Sequence, residues 1–217
     1  MDPHILKNDL TLWHAQKIKI IGIAGKRRTG KDAFLACLEA EYSGITYYRI
    51  AEAPVEIAKI LRLPPDREIL DTLFGVNALL RPIIGESAYK RRVAKLIEEE
   101  RPACALVAAL RTEEEYEEFI VKRGGILIGL RASLEVRFKR TQSAAGSQNE
   151  KSDEATIPLD RFKGDPEKGT GEYHLIQREI DSVVDRSHFV IQNDFDTLPP
   201  FHEAIRDVLS ALGIKKK

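Results

Sequence analysis

An open, mainly parallel sheet of five strands between two layers of helices is the α/β fold class this sequence predicts, and three observations predict it. Strand-like and helix-like stretches alternate along most of the 217 residues, a pattern that gives a parallel sheet with helices on both faces. Cys104-Ala105-Leu106-Val107-Ala108-Ala109-Leu110 is a continuous apolar run, as a central parallel strand covered on both faces requires. Between the first strand and the first helix stands Gly25-Lys26-Arg27-Arg28-Thr29-Gly30-Lys31-Asp32. Glycine, four residues, then Gly-Lys is the spacing of a phosphate-binding loop (P-loop).

The flanks of that loop give it meaning. Ile18 to Ala24 is short, apolar and β-branched, and Ala33 to Ala40 is rich in helix formers. A loop that opens a helix points several backbone N–H groups at one spot and adds the positive end of the helix dipole, so it binds phosphate. Gly25 and Gly30 allow the turn and the close approach. Lys31 supplies a mobile cation for the outer phosphates, which carry the charge that moves in phosphoryl transfer. The Ser or Thr that normally follows the lysine is here Asp32. A hydroxyl there would ligate magnesium directly, whereas a carboxylate would hold the ion, or a water on it, with a full negative charge.

Composition sets the bounds. Apolar residues make up 43% and charged residues 31%, with 34 basic against 34 acidic. That balance exerts no global pull towards nucleic acid or an anionic membrane, so a basic site has to be local and no stable nucleic-acid partner is expected. The two cysteines, Cys37 and Cys104, each sit inside an apolar run, which reads as buried free thiols in a reducing compartment. No apolar run approaches the ~20 residues that span a bilayer. Met1 to Lys17 carries Asp2, Asp9 and Trp13 where a signal peptide has its positive start and apolar centre. A cytoplasmic protein is the expectation, and Lys215-Lys216-Lys217 reads as a solubilising end.

In chain order, residues 1–17 form an extension whose Leu10, Leu12 and Trp13 pack on the body, with His4 and His14 as surface histidines. The first helix runs to about Tyr42 and turns Phe34, Leu35 and Leu38 inward; Ser43-Gly44 stops it. Ile45 to Ile50 is a second strand by its β-branched and aromatic content. Ala53 to Leu63 is helical until Pro64-Pro65. Residues 66–100 are a helical segment carrying Arg81 and the cations Lys90, Arg91, Arg92 and Lys95, which read chiefly as a solvated face or, if the loop serves a kinase, as an acceptor-binding segment. After the third strand, Thr112 caps a helix with Glu115 in capping-box spacing, running to Arg123. Gly124-Gly125 precede a fourth strand, Ile126 to Leu130. Ser133 opens a helix with Arg137 and Arg140 on nearly one face. Residues 141–171, poor in apolar side chains, read as a mobile lid. Tyr173 to Asp185 is helical, His188 to Ile191 a fifth strand with a structural histidine at its start, and Leu198 to Leu212 a terminal helix. The domain proper thus spans 18–212, with 213–217 as a basic tail. Ligands of such a sheet sit at the carboxyl ends of its strands, which gather Gly25 to Asp32, Ala51-Glu52 and Arg111.

These residues resemble the P-loop kinases of small metabolites, and within them the deoxynucleoside monophosphate kinase, phosphomevalonate kinase and dephospho-CoA kinase-like group. The loop with its Asp32, Tyr48 to Val55, Leu110-Arg111-Thr112-Glu113-Glu114-Glu115-Tyr116, and Asp165 to Glu179 followed by Phe189 to Asp194 are similar to segments of those proteins. The resemblance covers roughly 18–212 and implies a three-layer αβα P-loop NTPase of nucleoside monophosphate kinase-like form. It implies ATP and Mg2+ as cofactors, and transfer of the γ-phosphoryl group to a small phosphorylated acceptor such as a (deoxy)nucleoside monophosphate; it also admits a homodimer. The stretch Gly25, Lys26, Arg27, Arg28, Thr29, Gly30, Lys31, Asp32 and Ala33 would hold the triphosphate, with Lys31 as the β/γ clamp and Asp32 on magnesium. Arg111 would meet the acceptor phosphate or the developing charge, and Arg137 and Arg140 the donor phosphates, with Arg81 and Arg92 as weaker acceptor candidates. One departure stands out: the family's acidic residue ahead of the arginine is replaced by Ala108 and Ala109. A nucleotide-binding regulatory protein with weak or no kinase activity is therefore the alternative. A switch GTPase is disfavoured, because neither Asn-Lys-x-Asp nor Asp-x-x-Gly occurs.

Overall fold

The computed structural model describes residues 13–49, 87–144, 158–163 and 175–217. The helix expected over Ala53 to Leu63, the exit at Ala51-Glu52, Arg81 and most of the 141–171 stretch lie outside them.

Five strands form one open sheet: β1 (Lys19–Gly25), β2 (Ile45–Arg49), β3 (Cys104–Leu110), β4 (Ile126–Arg131) and β5 (Phe189–Gln192), in the order β2-β3-β1-β4-β5. Every neighbouring pair is parallel. The most apolar strands, β1, β3 and β4, lie inside and the shorter β2 and β5 form the edges, as expected where both faces are covered. Around them stand α1 (Lys31–Glu41), α2 (Ser87–Glu100), α3 (Glu113–Tyr116), α4 (Leu134–Ala144), α5 (Leu159–Lys163), α6 (Leu175–Asp185) and α7 (Leu198–Ala211). Among the described residues, no helix is long and apolar enough to cross a membrane.

Alternation along the strands builds a core on each face of the sheet. Ile21 and Ile23 of β1 point to one side, with Phe34 and Leu38 of α1 and Phe201, Ile205 and Leu209 of α7. Ile20 and Ala24 point to the other, with Val93 and Ile97 of α2, Phe119 and Ile120, and Ile180 and Val183 of α6. Strand β3 follows this period of two until Ala109. Ile23 pairs with Ala108 but Ala24 pairs with Leu110, so Ala109 is an extra, bulged residue, with φ of 63°. The bulge changes the phase: Leu110 joins Ala105 and Val107 on the α6 side instead of following Leu106 and Ala108.

Two expectations are refined. The helix capped by Thr112 does not run to Arg123 as one α-helix. It widens at Glu117–Val121 into a π-helical turn closed by Lys122 N donating to Glu117 O at 2.9 Å. The extra residue in that turn lets the adjacent Phe119 and Ile120 both be buried. The capping box itself is present, with Glu115 N on Thr112 Oγ1 at 3.2 Å and Thr112 N on Glu115 Oε2 at 3.3 Å.

Trp13 is wholly buried against the α1/α7 core, and its indole N–H donates to Leu212 O at 3.1 Å. The lysine tail is docked instead of being a free solubilising end. Lys217 N donates to Glu41 O at 2.9 Å and Lys217 Nζ to Glu39 O at 2.7 Å, while Lys216 pairs with the Glu41 carboxylate at 3.1 Å. Helix α1 has no basic residue in its last turn, so these lysines bring positive charge to its negative end. His14 is exposed. His188 accepts from Leu127 N through Nδ1 at 3.0 Å and donates its own N–H to Leu127 O at 2.9 Å, which extends the β4/β5 pairing.

Candidate active site

The phosphate loop crosses the carboxyl edge of β1, between β3 and β4. It is folded on itself: Thr29 is buried, and both its N–H, at 3.4 Å, and its Oγ1, at 2.9 Å, donate to Lys26 O. Gly30 adopts φ of 105° and opens α1 with no side chain capping the helix. The first-turn N–H groups of α1 are thus available to an anion. A Cβ on Gly25 would stand 2.7 Å from Thr29 Oγ1 and 2.8 Å from Leu130 O, which explains glycine at the loop's start.

Lys31 folds back over the loop, its ammonium donating to Gly25 O and Lys26 O, each at 2.6 Å. Its pKa is lowered to about 8, first by burial and then by the neighbouring Arg111 charge, with Arg137 adding and Asp32 opposing. The ammonium therefore remains mostly charged at neutral pH, yet it is poorly compensated. An incoming polyphosphate would supply the missing negative charge.

A cleft of about 630 Å³ opens in front of the loop. Gly25, Arg27, Arg28, Gly30, Lys31, Asp32 and Ala33 border it, Arg111 stands on one side, and Arg140 faces it from α4. Five of these residues are cationic, against the acids Asp32 and Asp196, so positive potential is concentrated here although the chain's formal net charge is +0. Arg111 is exposed, and its backbone N–H is held by Glu115 Oε2 at 2.6 Å.

Other residues of the predicted set lie behind the loop. Lys26, Thr29 and Arg137 border a second hollow of about 200 Å³. Lys26 pairs with Asp181 of α6 at 2.7 Å. Arg137 is 4% exposed, donates through Nε to Ala132 O at 3.1 Å and lies over the Phe162 ring of α5; it reaches the cleft through its charge on Lys31. Arg140 donates to Arg28 O at 3.2 Å, Asn193 Oδ1 at 3.2 Å and Phe195 O at 3.1 Å. Among the described residues, the cleft's border includes none of Arg91, Arg92 and Lys95, which are exposed on α2.

The far wall was not anticipated. Asn193, Phe195, Asp196, Thr197 and Leu198, from the segment joining β5 to α7, complete the cleft with Ile180 of α6. Phe195 and Leu198 are 37% and 55% exposed, so the wall offers apolar surface to a flat ring. The rule that ligands sit at the carboxyl ends of parallel strands points to this segment once it is applied to the fifth strand as well as the first three.

At the end of β3, Ala108 is buried and the bulged Ala109 is partly exposed, so no carboxylate stands there. Asp32, exposed on the first turn of α1, is the acid beside the loop. Elsewhere, ligand atoms of Cys37, Glu41 and His202 lie within 4.8 Å of one another. However, the Glu41 carboxylate already receives Arg206 at 2.7 and 2.8 Å and Lys216 at 3.1 Å. Those bonds hold it at about 2, while burial keeps the Cys37 thiol protonated. The group is an ion-pair node joining α1, α7 and the tail.

No protein-family model and no curated protein sequence matches the chain. Among solved structures, TT1252 from Thermus thermophilus superposes with a TM-score of 0.50 at 16% identity, over 91% of this chain and 98% of that one. A shikimate kinase from Bacteroides thetaiotaomicron gives 0.49 at 14% identity, over 90% and 99%. A gluconokinase from Sinorhizobium meliloti 1021 gives 0.45 at 16% identity, over 90% and 91%. Likenesses this remote are of fold alone. The architecture is the three-layer αβα P-loop fold, with its five parallel strands in an open sheet.

Proposed function

We propose that this protein transfers the γ-phosphoryl group of ATP to a small phosphorylated acceptor, a (deoxy)nucleoside monophosphate or a similar metabolite. The observation that carries the proposal is the Lys31 ammonium, half-buried, under-compensated and held at the mouth of an uncapped helix that faces a cationic cleft. An acceptor phosphate oxygen forms a bond to the γ-phosphorus as the bond to the β,γ-bridging oxygen breaks, and ADP leaves. Such a step needs positioned charge more than covalent help. The loop amides from Lys26 to Ala33 hold the triphosphate, and Lys31 leaves its carbonyl partners for the β/γ oxygens. Arg111 faces the developing charge or the acceptor from the β3 side. The base rests on the Phe195/Leu198 wall.

Asp32 fits magnesium as one carboxylate beside the phosphates, since this ion keeps several waters and needs few protein ligands. Magnesium would neutralise charge on the β and γ oxygens. A cytoplasmic setting agrees with two buried, free thiols.

The alanines at the end of β3 favour a second reading, a nucleotide-binding regulatory protein with little turnover. Acceptor-dependent ADP formation over nucleoside monophosphates, dephospho-CoA and phosphomevalonate separates the two. Lys31→Ala is expected to lower turnover by roughly 10²–10³, the effect of removing one preorganised charge-stabilising donor. ATP binding without ADP formation from any acceptor would select the regulatory reading, and unchanged turnover in the variant would remove Lys31 from the mechanism.

A further inference from the structure

We infer that Asn193 is a positioning residue that couples the nucleoside wall to the phosphate loop, so that a ligand on one strengthens binding at the other. The inference rests on the ATP reading above and adds to it the device that makes the two halves of the site act together.

Asn193 is 4% exposed and follows directly on β5. Its Nδ2 donates to Thr29 O at 2.9 Å, across 164 residues of chain. Its Oδ1 accepts from Arg140 Nη2 at 3.2 Å, and its backbone N–H donates to Arg131 O at 2.7 Å. The orientation of the amide is dictated by its partners, because a carbonyl can only accept and a guanidinium can only donate. Arg140 then continues the bridge in both directions, to Arg28 O in the phosphate loop and to Phe195 O in the nucleoside wall.

The segment after β5 is tied down elsewhere too. Asp194 Oδ1 receives Ser133 N at 2.6 Å and Asp196 receives Lys139 at 3.4 Å, both at the start of α4 or within it. A movement of this segment on binding a base is therefore passed to Thr29 and Arg28 through the Asn193 amide and the Arg140 guanidinium.

Asparagine is the side chain this position demands. Aspartate has the same shape but presents no donor to Thr29 O; leucine has neither group. Glycine at position 30 makes room for the amide, because a Cβ there would stand 2.4 Å from Asn193 Nδ2. The left-handed Gly30, the buried Thr29 and the Asn193 amide thus form one fitted unit.

Reciprocal linkage supplies the test: if a nucleoside tightens polyphosphate binding, polyphosphate tightens nucleoside binding by the same factor. Calorimetry would measure inorganic tripolyphosphate binding to the full chain, with and without saturating adenosine, and with guanosine in parallel. The wild type is expected to show about a 5- to 10-fold gain with the preferred nucleoside, at the lower end of measured couplings. In Asn193→Ala and in the isosteric Asn193→Asp, tripolyphosphate still binds alone, but the gain falls below about 2-fold. Arg140→Lys, which alters the other half of the bridge, is expected to lose the gain as well and serves if neither Asn193 variant folds.

A merely structural asparagine would lower both affinities, or the melting temperature, and leave their ratio intact; that result would overturn the inference. So would a wild-type protein that binds tripolyphosphate with no gain from either nucleoside, which leaves the phosphate site standing. Wild-type protein that binds no tripolyphosphate would instead sink the ATP reading itself, and the inference with it.

Discussion

Replacing Gly30 by alanine tests the phosphate loop at its tightest point. The backbone there has φ of 105°, and the new Cβ would meet Asn193 Nδ2 at 2.4 Å and the Phe201 ring at 3.1 Å. The conformation alone costs an L-residue about 1–3 kcal/mol. Displacing the Asn193 amide leaves Thr29 O without its 2.9 Å donor, a buried unsatisfied group worth a further 1–3 kcal/mol or so. The sum is about 2–6 kcal/mol. For a chain of this size each kcal/mol moves the melting temperature by about 2–4 °C, so a fall of roughly 4–24 °C is expected. Relaxation of the exposed part of the loop favours the lower half of that range.

The strained backbone at position 30 itself moves the helix's first N–H groups away from their common focus, so triphosphate binding is expected to weaken by at least about tenfold, or about 1.4 kcal/mol. Calorimetric melting and titration with the magnesium–ATP complex read the two effects separately. A melting temperature within 1 °C or so of wild type, together with undiminished ATP binding, would refute the fitted-loop account.

Two further predictions follow from charge and from backbone geometry. Because the Lys31 pKa is lowered from 10.5 to about 8, its ammonium is lost as pH rises through about 8, and tripolyphosphate affinity is expected to fall over pH 7–9. Arg111→Ala removes a repulsive neighbour and should move that midpoint upward; a titration flat across the range would count against Lys31 as the clamp. The linkage to stability has the opposite sense: between about 8 and 10.5 the unfolded chain holds a proton the native lysine has released. Lys31 therefore contributes stability that increases with pH across that window, and Lys31→Met should remove this contribution from the urea-denaturation profile.

Ala109 holds φ of 63° in the β3 bulge. Ala109→Gly relieves about 1–2 kcal/mol of left-handed strain and adds about 0.5–1 kcal/mol of unfolded-state entropy. The net gain of about 0–1.5 kcal/mol predicts a rise in melting temperature of about 0–6 °C; a fall would mean that the bulge is held by something other than backbone geometry.

What could be read from the residues in order was whatever depends on near neighbours. The strand-loop-helix around Gly25 to Asp32, the apolar β3 and the Thr112/Glu115 capping box each follow from a few consecutive side chains and their spacing. They appear in the structure within a residue or two of where periodicity puts them. The π-helical form of the second half of the helix after Thr112 is not legible in order along the chain, because Phe119 and Ile120 both seek the core and only the packing shows that a π-helical turn satisfies them.

The rest was decided by partners distant along the chain. Nothing near Asn193 in the sequence tells of Thr29, and nothing near the terminal lysines tells of the end of α1; packing over the sheet brings each pair together. Arg140 looked like a phosphate ligand by its helical position, yet its guanidinium meets three oxygens on two loops. By itself the sequence determined that a phosphate loop exists and which strand and helix carry it, since backbone geometry and glycine placement are local. Only the tertiary structure decided what stands opposite that loop, because the order β2-β3-β1-β4-β5 sets the cleft's second wall, and strand order comes from which faces bury one another.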